Sequence, residues 1–382
     1  MADKIDLKEF KKAMAGLEKK FDNKTLIKDV KHANLIHRVT FDSPLLNYEL
    51  GGSFVTGRIM QLFGPESSGK STISTFMAGQ LQKKLPDQPI VLYLDFEHTF
   101  DPDFAERLGL NEDEEHFVLV QPDVMEDGFE IAEALVKTGK VCMVIFDSEA
   151  AAPTRKQAES EYGQADFGIA ALQMSKGLKK LNIQLSKFNT SMIVISQERD
   201  NQQMMSHAIV TTGGRALKFF ASTRNRVTKI DTIEKDGETI GITMKVRNYK
   251  NKTGVMFREA EMKLLFDTGF DSKSEYLDFF IKLGIIVQGG AWFKSEKYDI
   301  KLNGKAEVQK WLDEHPKEFE EMRNTVDEML SKQTAELDGN NQKPDEADAD
   351  EAEEKKAVED LASQALADDA TASKEESPEL DV

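Results

Sequence analysis

A phosphate-binding loop is the most specific chemical signal in this sequence. Its residues follow the spacing G-x-x-x-x-G-K-[ST], directly after an apolar run and directly before a helical pattern: Gly64, Pro65, Glu66, Ser67, Ser68, Gly69, Lys70, Ser71 and Thr72. Glycine lets the backbone curl, so that successive amide N–H groups and a helix N-terminus converge on phosphate oxygens. Lys70 then reaches the β- and γ-phosphates, and the Ser71 hydroxyl can ligate Mg²⁺. We therefore predict a nucleoside-triphosphate site rather than a structural glycine turn.

Three acidic residues at strand ends are candidates for the rest of the chemistry. Asp147 ends a buried apolar run, where a carboxylate would hold the metal ion through water. Asp95 and Glu97 lie at the end of another run and, two residues apart on an extended segment, would point the same way. Either of them could act as the base that faces the γ-phosphate. Chemistry alone does not choose between these two acids.

The scaffold that would bring these strand ends together is an α/β fold. Short apolar runs cover residues 58–63, 90–95, 117–121, 141–147 and 192–197, and helical patterns lie between them at 72–84, 127–138 and 168–187. Such alternation predicts a mostly parallel sheet covered by helices on both faces. Runs at 224–230, 239–248 and 259–266, the first two joined by a turn-forming Asp236-Gly237, predict an antiparallel extension.

Charge is distributed unevenly along the 382 residues, which carry a formal net charge of −18. Residues 334–382 contain 17 acidic and 4 basic residues, a net charge of −13, which leaves −5 for residues 1–333. The acidic segment has too few large apolar residues to offset the entropy of ordering, so we predict a disordered tail. A nearly balanced body remains compatible with binding nucleic acid.

The single cysteine and the hydropathy pattern limit the cellular compartments in which the protein is expected. Cys142 alone cannot form an internal disulfide, which favours a reducing compartment such as the cytoplasm. No apolar run reaches the roughly 18 residues of a membrane span, so we expect no membrane partner. Apolar residues at helical spacing within residues 7–21 predict an N-terminal helix that packs on its own domain or on a neighbouring subunit.

Several further strings resemble the bacterial-type RecA recombinases, including their phage-encoded relatives. The strings are Gly64 to Thr72, Asp95-Phe96-Glu97-His98 with Asp101-Pro102, Gln121-Pro122-Asp123, Asp147-Ser148-Glu149-Ala150-Ala151, Thr211-Thr212-Gly213-Gly214-Arg215-Ala216-Leu217-Lys218-Phe219-Phe220-Ala221-Ser222 and Lys250-Asn251-Lys252. The resemblance runs from about residue 8 to about residue 325. It implies a P-loop RecA-like core that uses ATP and Mg²⁺.

The resemblance also implies roles for individual residues. Glu97 matches the glutamate that activates the attacking water, and Phe104, near Asp101, falls where the family stacks an aromatic ring, usually tyrosine, on adenine. Gln197 matches the glutamine that senses the γ-phosphate. Lys218, Lys250 and Lys252 match lysines that reach the ATP of the neighbouring subunit.

Two long connections, at residues 149–166 and 198–212, follow strand ends and resemble the family's two DNA-binding loops. A simple buried Ω-loop is the alternative reading of the second one. The implied DNA-contacting residues are Ser175, Lys179, Arg199, Met204, Met205, Ile209, Thr212, Gly213, Gly214 and Arg215. One departure stands out, because Leu172 occupies a position where better-known members have an arginine that contacts DNA.

The implied function is that of an ATP-dependent recombinase. Such a protein forms helical filaments on single-stranded DNA, pairs that strand with a homologous duplex and exchanges strands in DNA repair. A ring-forming motor and a non-catalytic single-strand coating protein are the alternatives. The expected layout is an N-terminal oligomerisation segment (1–35), the ATPase core (36–268), a small α/β domain (269–332) and the acidic tail (333–382). The tail either restrains duplex uptake or promotes solubility.

Overall fold

The computed structural model of the chain describes residues 12, 16, 19, 37–161, 168–200, 209–211 and 214–337. At the start of the first continuous part, strands β1 (Arg38–Val39) and β2 (Phe54–Val55) pair antiparallel, and helix α1 (Pro44–Glu49) lies between them in the chain. Ser43 caps α1, because its side chain accepts a hydrogen bond from the amide of Leu46. Apart from residues 12, 16 and 19, which are helical, the predicted N-terminal helix lies outside the described residues, as does most of the acidic tail.

A ten-stranded mixed sheet forms the centre of the molecule. Its parallel strands are β3 (Ile59–Gly64), β4 (Ile90–Asp95), β5 (Phe117–Val120), β6 (Val141–Asp147) and β7 (Ser191–Asp200). Strand β8 (Ile209–Thr211) pairs antiparallel with the end of β7. The sheet continues through β9 (Thr223–Lys235), which is parallel to β3, and then through β10 (Glu238–Asn251), β11 (Glu259–Leu265) and β12 (Gly269–Phe270), which are antiparallel to their neighbours. The order across the sheet is β12-β11-β10-β9-β3-β7-β6-β4-β5.

The predicted α/β class, with a mostly parallel sheet and an antiparallel extension, is confirmed. Every residue of β3 and of β6 is buried, as expected for strands covered on both faces. The hairpin between β9 and β10 turns through Asp236 and Gly237, which both have positive φ angles of 53° and 85°. Two adjacent residues of this kind define the tight turn that suits the twist of an antiparallel pair.

Helices cover both faces of the sheet, and the sheet separates two hydrophobic clusters. They are α2 (Lys70–Lys84), α3 (Pro102–Arg107), α4 (Met125–Val136), α5 (Arg155–Glu159), α6 (Ile169–Phe188) and α7 (Gly214–Phe220). The first cluster contains Met60 and Leu62 of β3 together with Met77 of α2. The second contains Ile59 of β3 together with Phe129 of α4 and Leu178 of α6. Alternate residues of one strand thus serve opposite layers, as strand geometry requires.

The C-terminal part has a hydrophobic cluster of its own, built around Tyr276, Phe280 and Met322. It consists of α8 (Ser272–Lys282), a three-stranded sheet of β13 (Val287–Gly289), β14 (Trp292–Ser295) and β15 (Ile300–Asn303), and helices α9 (Lys305–Glu314) and α10 (Pro316–Leu337). Because β12 pairs with β11 of the large sheet, we place the proposed domain boundary after residue 270. Helix α10 continues to Leu337, five residues past residue 332, the predicted end of the small C-terminal domain. Among the described residues, no helix has the length and apolar character needed to cross a membrane.

Candidate active site

A cavity of about 440 Å³ opens at the carboxyl ends of the parallel strands. This is the edge where open α/β sheets bind their ligands. The lining residues are Glu66 to Thr72, Glu97, Asp101, Phe104, Arg107, Asp147, Ile195, Gln197, Ile242, Leu264 and Phe266. One cavity therefore brings together the phosphate loop, Glu97, Asp147 and Gln197.

Two glycines allow the phosphate loop to follow its path. A side chain at Gly64 would place a Cβ atom 2.0 Å from the carbonyl oxygen of Val227, so only glycine lets the loop leave β3 beside β9. Gly69 has a φ angle of 93° and forms the N-cap of α2, where an ordinary side chain would be strained. The loop is thus shaped to aim the start of a 15-residue helix at the cavity.

Lys70 and Ser68 are the buried polar side chains of the phosphate loop. The Lys70 Nζ atom donates to the carbonyl oxygens of Gly64 and Pro65, at 3.1 and 2.5 Å. Burial lowers the pKa of Lys70, and the nearby carboxylates of Asp147, Glu97 and Glu198 oppose that effect. The Ser68 hydroxyl is buried without a hydrogen-bond partner in the described structure. A phosphate group would offer acceptors to both side chains, so the residues present fit a nucleotide.

Ser71 and Asp147 form an oxygen-rich pair beside the loop. Burial raises the pKa of Asp147, whereas hydrogen bonds from Tyr93 and Ser71 favour the charged carboxylate. The Tyr93 hydroxyl lies 2.6 Å from Asp147 Oδ2. A hydroxyl together with a carboxylate is the hard-oxygen donor set that suits Mg²⁺. The chemistry of this pair therefore fits the metal ion expected from the sequence.

The structure uses Asp95 and Glu97 in different ways. Asp95 is buried, and its carboxylate accepts hydrogen bonds from the amides of Thr99 and Phe100 and from the side chain of Gln121, at 3.1 to 3.3 Å. Glu97 is exposed, lines the cavity and accepts a hydrogen bond from the Ser148 hydroxyl. The two side chains were expected to point the same way. They make different contacts, because the chain bends after Asp95 and leaves the extended path. Asp95 holds the loop, and Glu97 faces the cavity.

Part of the cavity lining is apolar or aromatic. Asp101 caps α3 by accepting a hydrogen bond from the amide of Phe104 at 3.0 Å, which fixes the position of this ring. The Arg107 guanidinium lies 5.4 Å from the centre of the Phe104 ring. Ile242, Leu264 and Phe266 complete this part of the lining. A flat apolar slot beside a phosphate loop has the shape and polarity needed for a nucleobase.

Gln197 lies at the point where the cavity meets the β7–β8 hairpin. It lines the cavity and pairs in register with Gly64, the first residue of the phosphate loop. Strand β7 continues beyond it to Asp200 and returns through β8, with Glu198 opposite Thr211. The predicted connection at 198–212 is therefore partly a hairpin, because its ends pair as antiparallel strands. In the other connection, at 149–166, a capping box of Thr154 and Gln157 starts the short helix α5.

The three candidate lysines do not line the cavity of their own chain. Lys250 donates a hydrogen bond to the carbonyl oxygen of Lys218, at the end of α7. Lys252 is exposed just after β10. Between them, Asn251 accepts hydrogen bonds from the amide and hydroxyl of Thr253, at 2.9 and 2.8 Å. Lys218 thus lies in α7, Lys250 at the end of β10 and Lys252 directly after it.

The predicted DNA-contacting residues are only partly described. Ser175 and Lys179 lie on α6, where Lys179 is exposed together with Lys176, Lys180 and Leu172. The backbones of Arg199, Ile209, Gly214 and Arg215 belong to β7, β8 and α7. Met204, Met205, Thr212 and Gly213 lie outside the described residues.

Several residues of this region were not predicted from the sequence. Tyr93 interrupts the aliphatic strand β4, and a buried hydroxyl in such a strand signals a polar partner. Arg226 alternates with buried residues in β9 and binds Glu198. Arg107 and Phe266 join the cavity through contacts that become visible only after folding.

The fold and the cavity define a class: an α/β P-loop protein whose nucleotide site lies at the carboxyl edge of its sheet. The model of the RecA N-terminal domain matches residues 8–271 of the chain. Protein RecA of Clostridium beijerinckii is 34% identical over 336 residues, which cover 87% of this chain and 91% of that protein. Protein RecA of Rickettsia canadensis is 35% identical over 325 residues, which cover 84% and 93%.

Among solved structures, the crystal structure of the RadB recombinase aligns with a TM-score of 0.43 and 23% identity, and it covers 58% of this chain and 94% of that chain. The sequence matches show the family directly. The chain belongs to the RecA family.

Proposed function

We propose that the chain assembles as a helical filament on single-stranded DNA, pairs that strand with a homologous duplex and exchanges strands. As a member of the RecA family the chain is an ATP-dependent DNA recombinase of recombination and repair, with DNA-dependent ATPase activity. The observation that carries the proposal is that one cavity contains the phosphate loop, the carboxylates of Glu97 and Asp147, and Gln197, which precedes the paired part of the β7–β8 hairpin.

Phosphate binding falls to the loop and its lysine. Lys70 would exchange its two carbonyl partners for the β- and γ-phosphate oxygens, which are stronger acceptors because they are charged. Phe104, Asp101 and the apolar part of the cavity lining would hold the adenine base. Gly64, Pro65, Glu66, Ser67, Ser68, Gly69, Ser71 and Thr72 would form the rest of the cradle.

Ser71 and Asp147 would hold Mg²⁺, which neutralises phosphate charge and orients the oxygens. Glu97 would accept a proton from the attacking water, since it is an exposed carboxylate that lines the cavity. Gln197 would contact the γ-phosphate, and this contact would couple the bound nucleotide to the β7–β8 hairpin. The Ser148 hydroxyl, which donates to Glu97, would help to orient the carboxylate.

Lys218, Lys250 and Lys252 would complete the site of the adjacent protomer. Transition-state charge is stabilised by cations placed near the transferred phosphoryl group. Because these lysines do not line the cavity of their own chain, they would act on the nucleotide of a neighbouring chain. Turnover would then depend on assembly, and isolated subunits would be nearly inactive.

DNA binding would use the two loops at the carboxyl edge and the exposed face of α6. Ser175 and Lys179 would contact the backbone of the strand. Arg199, Arg215 and the Thr212-Gly213-Gly214 segment would add contacts, and Met204, Met205 and Ile209 would act as apolar wedges between bases. A cytoplasmic location belongs to the same proposal, since the buried free thiol of Cys142 suits a reducing compartment.

The test is ATPase activity with and without single-stranded DNA, combined with negative-stain imaging of the same mixtures. We expect turnover that rises with single-stranded DNA and coincides with helical filaments, and we expect Lys70→Ala to lose both. Closed rings with directional unwinding would indicate a motor instead. Turnover that stays flat on adding DNA would indicate a coating protein.

A further inference from the structure

An arginine on β9 reaches a glutamate on β7 across the end of β3. In the sheet, Phe63 of β3 pairs in register with Arg226, and Gly64 pairs with Gln197 on the other side. The Arg226 guanidinium donates to both carboxylate oxygens of Glu198, with N–O distances of 2.9 and 2.7 Å. This two-pronged contact therefore connects the strands on either side of the phosphate loop, at the residue where the loop begins.

The contact is well shielded from solvent. The side chain of Glu198 is 10% exposed and that of Arg226 is 28% exposed. A carboxylate in this setting depends on its partner, because an unpaired buried charge is costly. Bidentate geometry fixes the orientation of both side chains as well as their separation.

A second set of contacts holds the same three strands two residues earlier. Arg224 Nε donates to Gln61 at 2.7 Å, and the Gln61 amide donates to Ser196 at 3.0 Å. Since residues two apart in a strand share a face, both sets lie on the same side of the sheet. Arg226 thus extends an existing cross-strand network to the position next to the cavity.

The two partners of Arg226 are each one residue from a candidate catalytic residue. Glu198 directly follows Gln197. Tyr249, which hydrogen-bonds to Arg226, directly precedes Lys250, and its ring packs on Phe63 with 5.6 Å between ring centres. A shift of the guanidinium would therefore move Gln197, which lines the nucleotide site, and would also displace the segment that carries Lys250.

Charge gives the contact a second consequence. Glu198 directly follows Gln197, which lines the cavity, and its carboxylate is among those that favour the charged form of Lys70. A triphosphate held by Lys70 would meet this negative charge, and the repulsion would grow with the γ-phosphate. The guanidinium of Arg226 offsets the charge of Glu198 at that place.

We propose that Arg226 is a positioning residue that holds Gln197 through Glu198 and shields the triphosphate from the Glu198 carboxylate. The inference deepens the proposed function and rests on it. Arg226 would then help the site to distinguish ATP from ADP, because only ATP carries the γ-phosphate that Arg226 shields from Glu198.

The test compares Arg226→Gln, Glu198→Gln and the double variant with the wild-type chain. Arg58→Gln serves as the matched control, since Arg58 is exposed just before the opposite end of β3. Isothermal titration calorimetry gives the Kd values for ATP and ADP, and steady-state assays with single-stranded DNA give kcat and KM. Circular dichroism establishes that each variant is folded.

Arg226→Gln should weaken ATP binding relative to ADP binding by about tenfold or more, because a carboxylate is left unpaired beside the phosphates. Adding Glu198→Gln should bring the ratio of the two Kd values back to within about threefold of wild type. The kcat of the double variant should stay low, since Gln197 is no longer held. This split between binding and turnover separates shielding from general loss of structure.

The proposal is overturned if the double variant has the wild-type kcat, or if Arg226→Gln leaves the ATP-to-ADP ratio unchanged. If the Arg226→Gln variant does not fold, the kcat of the double variant tests the proposal, because the double variant buries no unpaired charge. A wild-type chain without DNA-stimulated turnover would instead count against the proposed function. In that case the two Kd values still test the shielding by Arg226.

Discussion

The hydroxyl of Tyr93 donates a 2.6 Å hydrogen bond to Oδ2 of Asp147, from one strand of the sheet to the next. Groups that orient a metal-binding carboxylate affect metal affinity almost as much as the ligands do. Tyr93 therefore belongs to the support of the proposed Mg²⁺ site, although it does not line the cavity.

Replacing Tyr93 with phenylalanine should weaken the use of Mg²⁺. The change removes only the hydroxyl, so the ring contacts with Phe100 and Phe117 remain. We expect the Mg²⁺ concentration for half-maximal ATPase to rise by about tenfold or more, with a smaller change in KM for ATP at saturating Mg²⁺. Tyr298→Phe in the C-terminal part is the control, and an unchanged Mg²⁺ dependence of Tyr93→Phe would contradict the support role.

Glu97→Gln should separate binding from hydrolysis. Glutamine keeps the size of the side chain and an acceptor for Ser148, but it cannot take a proton from water. We expect kcat to fall by about 100-fold or more, while ATP-dependent binding of single-stranded DNA persists in a filter-binding assay.

Asp95→Asn is the matched comparison for that experiment. Asp95 holds the loop through three hydrogen bonds, and the amide can satisfy fewer of them. This variant should lose thermal stability as well as activity. A Glu97→Gln protein that hydrolyses ATP at the wild-type rate would rule out Glu97 as the base.

Glu275 should make the stability of the chain depend on pH. Burial raises the pKa of this carboxyl from 4.5 to about 7, while a 2.6 Å hydrogen bond from Ser43 opposes the shift, and Asp271 and Asp278 add repulsion. Between those two pH values the folded chain binds more protons than the unfolded chain, so the free energy of unfolding falls as pH rises.

Glu275→Gln should remove this dependence. Relative to that variant, the wild-type chain should lose up to about 3 kcal/mol between pH 4.5 and 7.5, as measured by urea unfolding at several pH values. The exposed Glu314→Gln variant should follow the wild-type curve. Parallel curves for wild type and Glu275→Gln would show that the carboxyl titrates normally in the folded chain.

A chain that ends after Leu337 should bind duplex DNA more tightly than the full chain. Helix α10 runs to Leu337, so a cut there keeps the helix whole, whereas a cut at 333 would shorten it. The gain should shrink as salt rises, because added ions screen competition between tail carboxylates and phosphates. A tail of equal length with Asn and Gln in place of its acids should reproduce the gain, and no gain in either protein would leave the tail without a regulatory role.

The sequence was most informative where one local rule decides the structure. The apolar runs of β4 and β6 match their observed bounds, Ile90–Asp95 and Val141–Asp147, because fully buried strands need continuous apolar residues. The phosphate loop was readable because its glycines and lysine follow a fixed spacing. The bounds of β7 were not readable, because its last residues pair with β8 across a segment that has no turn signature.

The residues that hold the site in place could not be predicted from the sequence, because they act through contacts between distant parts of the chain. Nothing local distinguishes Asp95 from Glu97, and only the folded loop shows that one carboxylate is occupied by backbone amides. Arg226 and Glu198 are 28 residues apart, and their pairing depends on the strand order β9-β3-β7. Sequence reasoning thus found groups that face the substrate more readily than groups that hold them in place.

A mixing experiment with two inactive variants is the most direct test of a site shared between protomers. Glu97→Gln removes the base on one side of the interface, and Lys250→Ala with Lys252→Ala removes the cations on the other side. In an equal mixture with single-stranded DNA, random assembly gives about a quarter of the interfaces one intact Glu97 and one intact lysine pair. We predict that ATPase activity recovers to about that fraction of wild type, and mixed filaments that remain as inactive as the separate variants would contradict a site completed by the neighbour.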